Sequence, residues 1–483
     1  MPESSYNYES RTTGHGPREY CGLFGIIGHR QASWLTYLGL YAQQHRGEEA
    51  CGIVANKEGV LSIHKEVGLV NDVFNGEVLT KLKGEMAVGH VRYSTTGSSI
   101  LKNAQPLLID YAKGSICIAH NGNLVNSLEL RRYLEKSGSI FQTTTDSEII
   151  IHLMARNRSK DLEQSLIYAL KRIKGAYSLI MMDNEHLVGI RDPLGFRPLC
   201  LGKLGKAWCL ASETCAFDLI GARLVREVDP GEVIFINKQG LRSIRPKEFR
   251  WKKRFAFCAF EHVYFSRPDS MVFGETVHAV RRKLGAQLAK EHPVEADFVV
   301  PVPDSGFSAA LGYSQCSGIP LEMGIIRNHY VGRTFIQPAQ DSRELGIKVK
   351  FNLLKDVLRG KCIVIVDDSI VRGNTSRIRV RNLRKIGVKE VHLRISCPPH
   401  RYPCFYGIDF HRQSELIANR YDSLEKIKNY LGVDSLGYLS LKGMQGCFKH
   451  PENYYCTACW AGRYPLLVEK GQGKFSLEKK GSE

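Results

Sequence analysis

No stretch of this 483-residue chain approaches the roughly 18 consecutive apolar residues that a membrane-spanning helix needs. Met1 to Tyr20 likewise lacks the apolar core of a secretory leader, so a cytoplasmic protein with no membrane partner is expected. Acidic residues are in deficit, 49 against 67 Lys and Arg, for a formal net charge of +18. Such a surplus suits phosphorylated small molecules and would also suit nucleic acid. The basic residues are spread along the chain, however, with local clusters at Arg250–Arg254 and Arg377–Lys385. Neither a helix-turn-helix nor a basic arm is apparent, and no nucleic-acid partner is expected. Fourteen cysteines are too thinly spread for a small secreted disulfide framework. Most, such as Cys117, Cys200, Cys209 and Cys362, lie singly in apolar runs, where packing is the default reading.

What is present begins with size: the chain is too long for one core, and two or more domains are expected. Its most informative stretch runs from Cys362 to Ser376. Cys362 to Val366 is unbroken apolar sequence, as in a strand buried on both faces. Asp367 and Asp368 follow, then Ser369 to Arg372 and a close of Gly373, Asn374, Thr375 and Ser376. Val380, Leu383 and Ile386 mark one side of a basic helix that Gly387 stops, and Val391, Leu393 and Ile395 alternate as a second strand. The spacing predicts a β-α-β unit whose polar loop stands at the carboxyl end of its first strand, where open α/β sheets bind ligands. Loop N–H groups and the positive helix end suit a phosphate; the acidic pair suits ribose hydroxyls or Mg²⁺. The run resembles the signature of type I phosphoribosyltransferases, which bind phosphoribosyl pyrophosphate (PRPP).

Upstream, strands dominate from Cys21 to about Phe249. Cys21 to Gly28 reads as a strand beginning abruptly at a cysteine, followed by a helix with Leu35, Leu38 and Ala42 on one side. Further strands end in polar loops, among them Ala87–Arg92 and Ile116–His120, the latter leading into Asn121-Gly122, a dipeptide common in hairpin turns. Thr145 with Glu148 predicts a capping box before a helix over Ile149–Ala155. The runs Cys21-Gly-Leu-Phe-Gly-Ile-Ile-Gly, Gln44-His45-Arg46-Gly47 and His120-Asn121-Gly122 resemble class II glutamine amidotransferases of the N-terminal-nucleophile type. Joined to the PRPP motif, they make the whole chain similar to the glutamine–PRPP amidotransferase family.

That resemblance implies an αββα sandwich followed by a parallel α/β phosphoribosyltransferase sheet. The divisions expected are a propeptide over 1–20, an amidotransferase domain over 21–250, a phosphoribosyltransferase domain over 251–435 and a C-terminal segment over 436–483. A thiol of ordinary pKa is a weak nucleophile at neutral pH. Removal of Met1–Tyr20 would make the α-amino group of Cys21 available as its base. The family implies that Arg92 grips the glutamine carboxylate, that Asp146 takes the amino group, and that Asn121 and Gly122 form an oxyanion hole. It implies PRPP contacts from Asp304 and Ser305, in the loop after the strand Phe298–Val302, and from Arg327, Asp367, Asp368, Ser369, Arg372, Gly373, Asn374, Thr375 and Ser376. Ser305, Asp367 and Asp368 would stand at Mg²⁺. A lid is expected over Arg327–Asn352, with Arg327 where the family usually has Lys and His329 where it has Arg.

Cys456-Thr-Ala-Cys459 is a C-x-x-C, with Cys404 and Cys258 far upstream. Four thiolates suit tetrahedral zinc or an iron–sulfur cluster; the family implies a [4Fe-4S] cluster at those positions. The activity implied is pentosyl transfer: glutamine is hydrolysed, and ammonia displaces pyrophosphate from PRPP to give 5-phosphoribosylamine for purine synthesis. Purine nucleotide inhibitors and a homo-oligomer, dimer or tetramer, are expected partners. Two other readings compete, a PRPP-sensing DNA-binding regulator and a sugar-phosphate aminating enzyme. The first does not need Cys21, Arg92 and Asn121 together, and the second lacks Asp367-Asp368-Ser369.

Overall fold

The computed structural model describes residues 21–93, 97–98, 100–159, 161–249, 254–328, 351–409, 412–468 and 476–478. The expected propeptide and His329, with the lid to 350, lie outside these. Two compact units divide the described residues: one holds 21–280, 402–411 and 448 onward, the other 281–401 and 412–447.

The first unit is a four-layer sandwich. Strand β1 (Gly22–Ile27) lies in a seven-stranded antiparallel sheet, between Ala207–Ala211 and β2 (Met86–Arg92). β1 is apolar throughout because both of its faces are covered. Phe24 and Ile26 join Leu35 and Leu40 of helix α1 (Ala32–Ala42) on the outside. Leu23 and Ile27 face inward, with Val88 of β2, against Ala119 and Ile180 of the second sheet. Two glycines allow this closeness: a Cβ at Gly39 would stand 2.3 Å from the Phe24 ring, and one at Gly25 2.9 Å from Ile180. The second sheet has six antiparallel strands, with β3 (Gly114–Leu124) beside β4 (Gly175–Met182). Helix α2 (Ser147–Arg156) covers its outer side, Ile149 and Leu153 packing with Ile118, Leu124 and Leu179.

Two local expectations are corrected. Asn121-Gly122 does not lie in a loop after His120; both residues lie inside β3, opposite Ser178 and Tyr177 of β4. Nor does Thr145 form a capping box. α2 begins at Ser147, and Glu148 instead accepts from the N–H groups of Gln142 (2.8 Å) and Thr143 (2.7 Å).

In the second unit, strands β5 (Phe298–Pro301), β6 (Cys362–Asp367), β7 (Glu390–Ile395) and β8 (Ser435–Tyr438) form an all-parallel sheet in that order. Ile363 to Val366 are fully buried, as a central strand covered by helices on both faces requires. Helix α3 (Phe307–Ser317) follows β5 and α4 (Asn374–Lys385) follows β6. Pro301 sits opposite Val366, so the loops after β5 and β6 emerge together at one sheet edge.

Candidate active sites

In the first unit a narrow pocket is lined by Cys21, Arg92, Tyr93, Gln105, His120, Gly122, Thr145 and Asp146. β1 delivers Cys21 at its start and β2 delivers Arg92 at its end, which their antiparallel pairing sets side by side. The Cys21 thiol points to the Tyr93 carbonyl at 3.6 Å, and burial pushes its pKa up to about 11. Arg46, wholly buried, donates from Nε to the Cys21 carbonyl at 3.1 Å and is itself held by Glu213 and Glu261. Burial draws the Arg92 guanidinium below its ordinary value, against the pull of Glu49, Cys21 and Asp146. A buried cation at a pocket wall suits a carboxylate ligand. The Asp146 carboxylate accepts the Leu124 N–H at 2.8 Å through Oδ2. The side-chain amide nitrogen of Asn121 is buried without a hydrogen-bond partner, an unmet donor next to the pocket that a buried polar group rarely tolerates. Gly122 takes φ +150°, and a Cβ there would strike the Ala176 carbonyl at 1.9 Å.

In the second unit Asp367, Asp368 and Ser369 are buried at the carboxyl end of β6. Asp367 pairs with Arg379 of α4 at 2.9 Å. Asp368 accepts from the Ser369 hydroxyl at 2.6 Å and from Ser305, which the β5 loop supplies. Burial, then the charge of Asp367, raises the Asp368 carboxyl to about 7. Such an excess of negative charge fits a cation. Gly373, at φ +79°, leads into α4, so Asn374, Thr375 and Ser376 form its first turn. Arg327, at the end of a short strand (Ile325–Arg327), forms an ion pair with Asp304; Arg372 does so with Glu415.

The four cysteines singled out lie in the first unit. Cys258 and Cys456 are opposite each other in a parallel pair, Phe257–Cys258 with Tyr455–Cys456. The Tyr406 N–H donates to the Cys404 sulfur at 3.4 Å, and the Cys459 carbonyl accepts from Tyr402 at 3.1 Å. Burial raises the Cys404 thiol to about 11, with Cys258 raising it further against the pull of Arg197. Were Cys404 and Cys456 ionised, the buried thiolates would repel one another, a repulsion that a shared cation would relieve. Among the described residues, no three His, Cys, Asp or Glu side chains stand in a closed metal-holding arrangement. A broader depression of about 540 Å³ near Arg401, Asn419 and Tyr421 contains none of the expected site residues.

A family profile of glutamine amidotransferase domains matches residues 90–218. The amidophosphoribosyltransferase of Bacillus subtilis is 48% identical over 458 residues, 94% of this chain and 95% of that one. The Synechocystis amidophosphoribosyltransferase is 51% identical over 94% of this chain and 92% of its own. Among solved structures, the B. subtilis glutamine PRPP amidotransferase complexed with ADP and GMP superposes with a TM-score of 0.89, at 45% identity, covering 95% of this chain and all of that one. The chain belongs to the amidophosphoribosyltransferase family.

The residues expected from the motifs thus fall at one pocket, at the carboxyl ends of β5 and β6, and in one cysteine neighbourhood. Four other side chains take a place beside them in three dimensions: Gln105 and His120 in the first pocket, and Arg379 and Arg281, which lower the charge burden on Asp367 and Asp368. His120 sits in a quoted motif and Arg379 in the basic cluster Arg377–Lys385, but nothing in the local sequence marks Gln105. No helix among the described residues is long and apolar enough to cross a membrane.

Proposed function

We propose that this chain is a glutamine-dependent amidophosphoribosyltransferase that makes 5-phosphoribosylamine, glutamate and pyrophosphate from PRPP, glutamine and water, the entry step of purine biosynthesis. The match at 48–51% identity along nearly the full length of enzymes with that name carries the reading. At the first site the Cys21 thiol attacks the glutamine amide, with Arg92 on the substrate carboxylate and Asp146 on its ammonium. The unmet Asn121 amide and the Gly122 N–H receive the oxyanion. Once Met1–Tyr20 is removed, the freed amine of Cys21 moves the proton. The thioester is hydrolysed, and the ammonia released is the nucleophile at the second site.

There the first turn of α4 and the Gly373 loop cradle phosphate, Asp367 and Asp368 face the ribose, and Asp304, Ser305 and Arg327 face the pyrophosphate. Ser305, Asp367 and Asp368 would hold Mg²⁺, which neutralises the leaving group. Cys258, Cys404, Cys456 and Cys459 would hold a [4Fe-4S] cluster as a structural fastening. Purine nucleotides are proposed as inhibitors, since the B. subtilis relative binds ADP and GMP, and a cytoplasmic homo-oligomer is the working form. The test is Cys21→Ala: glutamine-dependent pyrophosphate release should vanish while ammonia-dependent release persists. Loss of both together would refute two separable sites.

A further inference from the structure

From the wall of the first pocket runs a line of buried polar groups, Gln105, Ser147 and His120. Gln105 Oε1 accepts the backbone N–H of His120 at 2.8 Å, which settles the orientation of its amide. Its Nε2 therefore donates to Ser147 Oγ at 3.2 Å. Ser147 is fully buried, and the same Oγ lies 3.0 Å from His120 Nδ1. Ser147 accepts from Gln105 and keeps its own proton, which it can donate to Nδ1. The far edge of the ring agrees: Nε2 faces the Ala176 carbonyl at 3.5 Å, an acceptor, and so bears the ring proton. Gly122 leaves space for that edge, since a Cβ there would stand 3.0 Å from Nε2. Asp146 Oδ1 lies 3.5 Å from Nδ1, which then has no proton to give it.

We infer that Gln105 and Ser147 are positioning residues for substrate binding: they fix the His120 proton on Nε2 and so keep Asp146 Oδ1 open for the α-ammonium group of glutamine. The inference rests on the reading of Asp146 proposed above. A proton on Nδ1 would pair with the carboxylate from inside the pocket and compete with the substrate.

Gln105→Glu is the discriminating change. Its carboxylate still accepts the His120 N–H but cannot donate to Ser147, so Ser147 turns its proton to Glu and accepts from Nδ1. In the active full-length enzyme, Gln105→Glu and Ser147→Ala should each raise KM for glutamine about tenfold or more, with a smaller change in kcat. Both should narrow the preference for glutamine over glutaramate, which lacks the amino group. The nitrogen NMR spectrum of the histidine-labelled parent, which depends on no variant folding, should show His120 protonated at Nε2 alone. A proton on Nδ1 in the parent, or parental KM in both variants, overturns the inference. An unchanged glutamine-to-glutaramate ratio in Asp146→Asn is a different failure, that of the Asp146 assignment itself.

Discussion

Arg46 is the residue on which the first site leans hardest. Its guanidinium is wholly buried between Glu213 and Glu261, with Ser266 and Ser270 completing the acids' hydrogen bonds at 2.7 Å each. Removing one partner of a buried ion pair costs about 3–5 kcal/mol, because the other charge is stranded. Arg46→Met should lower thermal stability accordingly and shift the Cys21 backbone, seen as a lost glutaminase activity alongside a reduced calorimetric Tm. Burial alone would raise the Glu213 carboxyl, but His45 and Arg46 hold it far below the ordinary range. A depressed folded value means that its stabilisation is full above the unfolded value, about 4.3, and fades as pH falls toward the folded one. Glu213→Gln should therefore flatten the loss of Tm between about pH 5 and 3.

Cys21 itself gives a second prediction at this scale. With its thiol raised to about 11 by burial, roughly one molecule in ten thousand carries a thiolate at pH 7 in the uncleaved chain. Alkylation of uncleaved protein, followed by mass spectrometry, should speed up about tenfold per pH unit from 7 to 10. A flat profile would mean that the thiol is already activated before cleavage.

Among the elements, the β6–α4 unit was the most legible in sequence. Five apolar residues, two acids and a glycine-closed loop are local signals, and the structure returns them as strand, buried acids and helix start. Asn121-Gly122 was legible as a motif, but the strand was expected to end before it; ladder pairing with β4 carries the strand through the pair and overrides the dipeptide's local preference. Gln105 and Ser147 were illegible because only the closure of a loop and the start of α2 on one ring brings them together. Gly373 tests the loop's backbone directly. At φ +79° a side chain is strained, and a Cβ would stand 2.4 Å from Ile417. Gly373→Ala should raise KM for PRPP by about tenfold or more while glutamine hydrolysis measured without PRPP is retained.

At the scale of the whole molecule, the αββα and parallel-sheet classes were readable from strand-rich and β-α-β patterns, but the course of the chain between units was not. Residues 402–411 and 448 onward rejoin the first unit through contacts that carry no local signature. Asn123, two residues beyond Asn121, donates to the Phe405 carbonyl at 2.9 Å, and Tyr455–Cys456 pairs with Phe257–Cys258. Cys456→Ser in anaerobically purified protein should abolish bound iron and lower Tm by several degrees, about 1–3 kcal/mol. Iron retained at the parental ratio would remove this cysteine from the proposed set.

That return path has a consequence for biosynthesis. The strand that pairs with Phe257–Cys258 emerges from the ribosome some 200 residues later, about 10–40 s at ordinary translation rates. For that interval the nascent first unit has a bare edge at Phe257–Cys258, and Asn123 in β3 lacks its Phe405 acceptor. The first unit is thereby closed only on a polypeptide whose parallel-sheet unit has already been made.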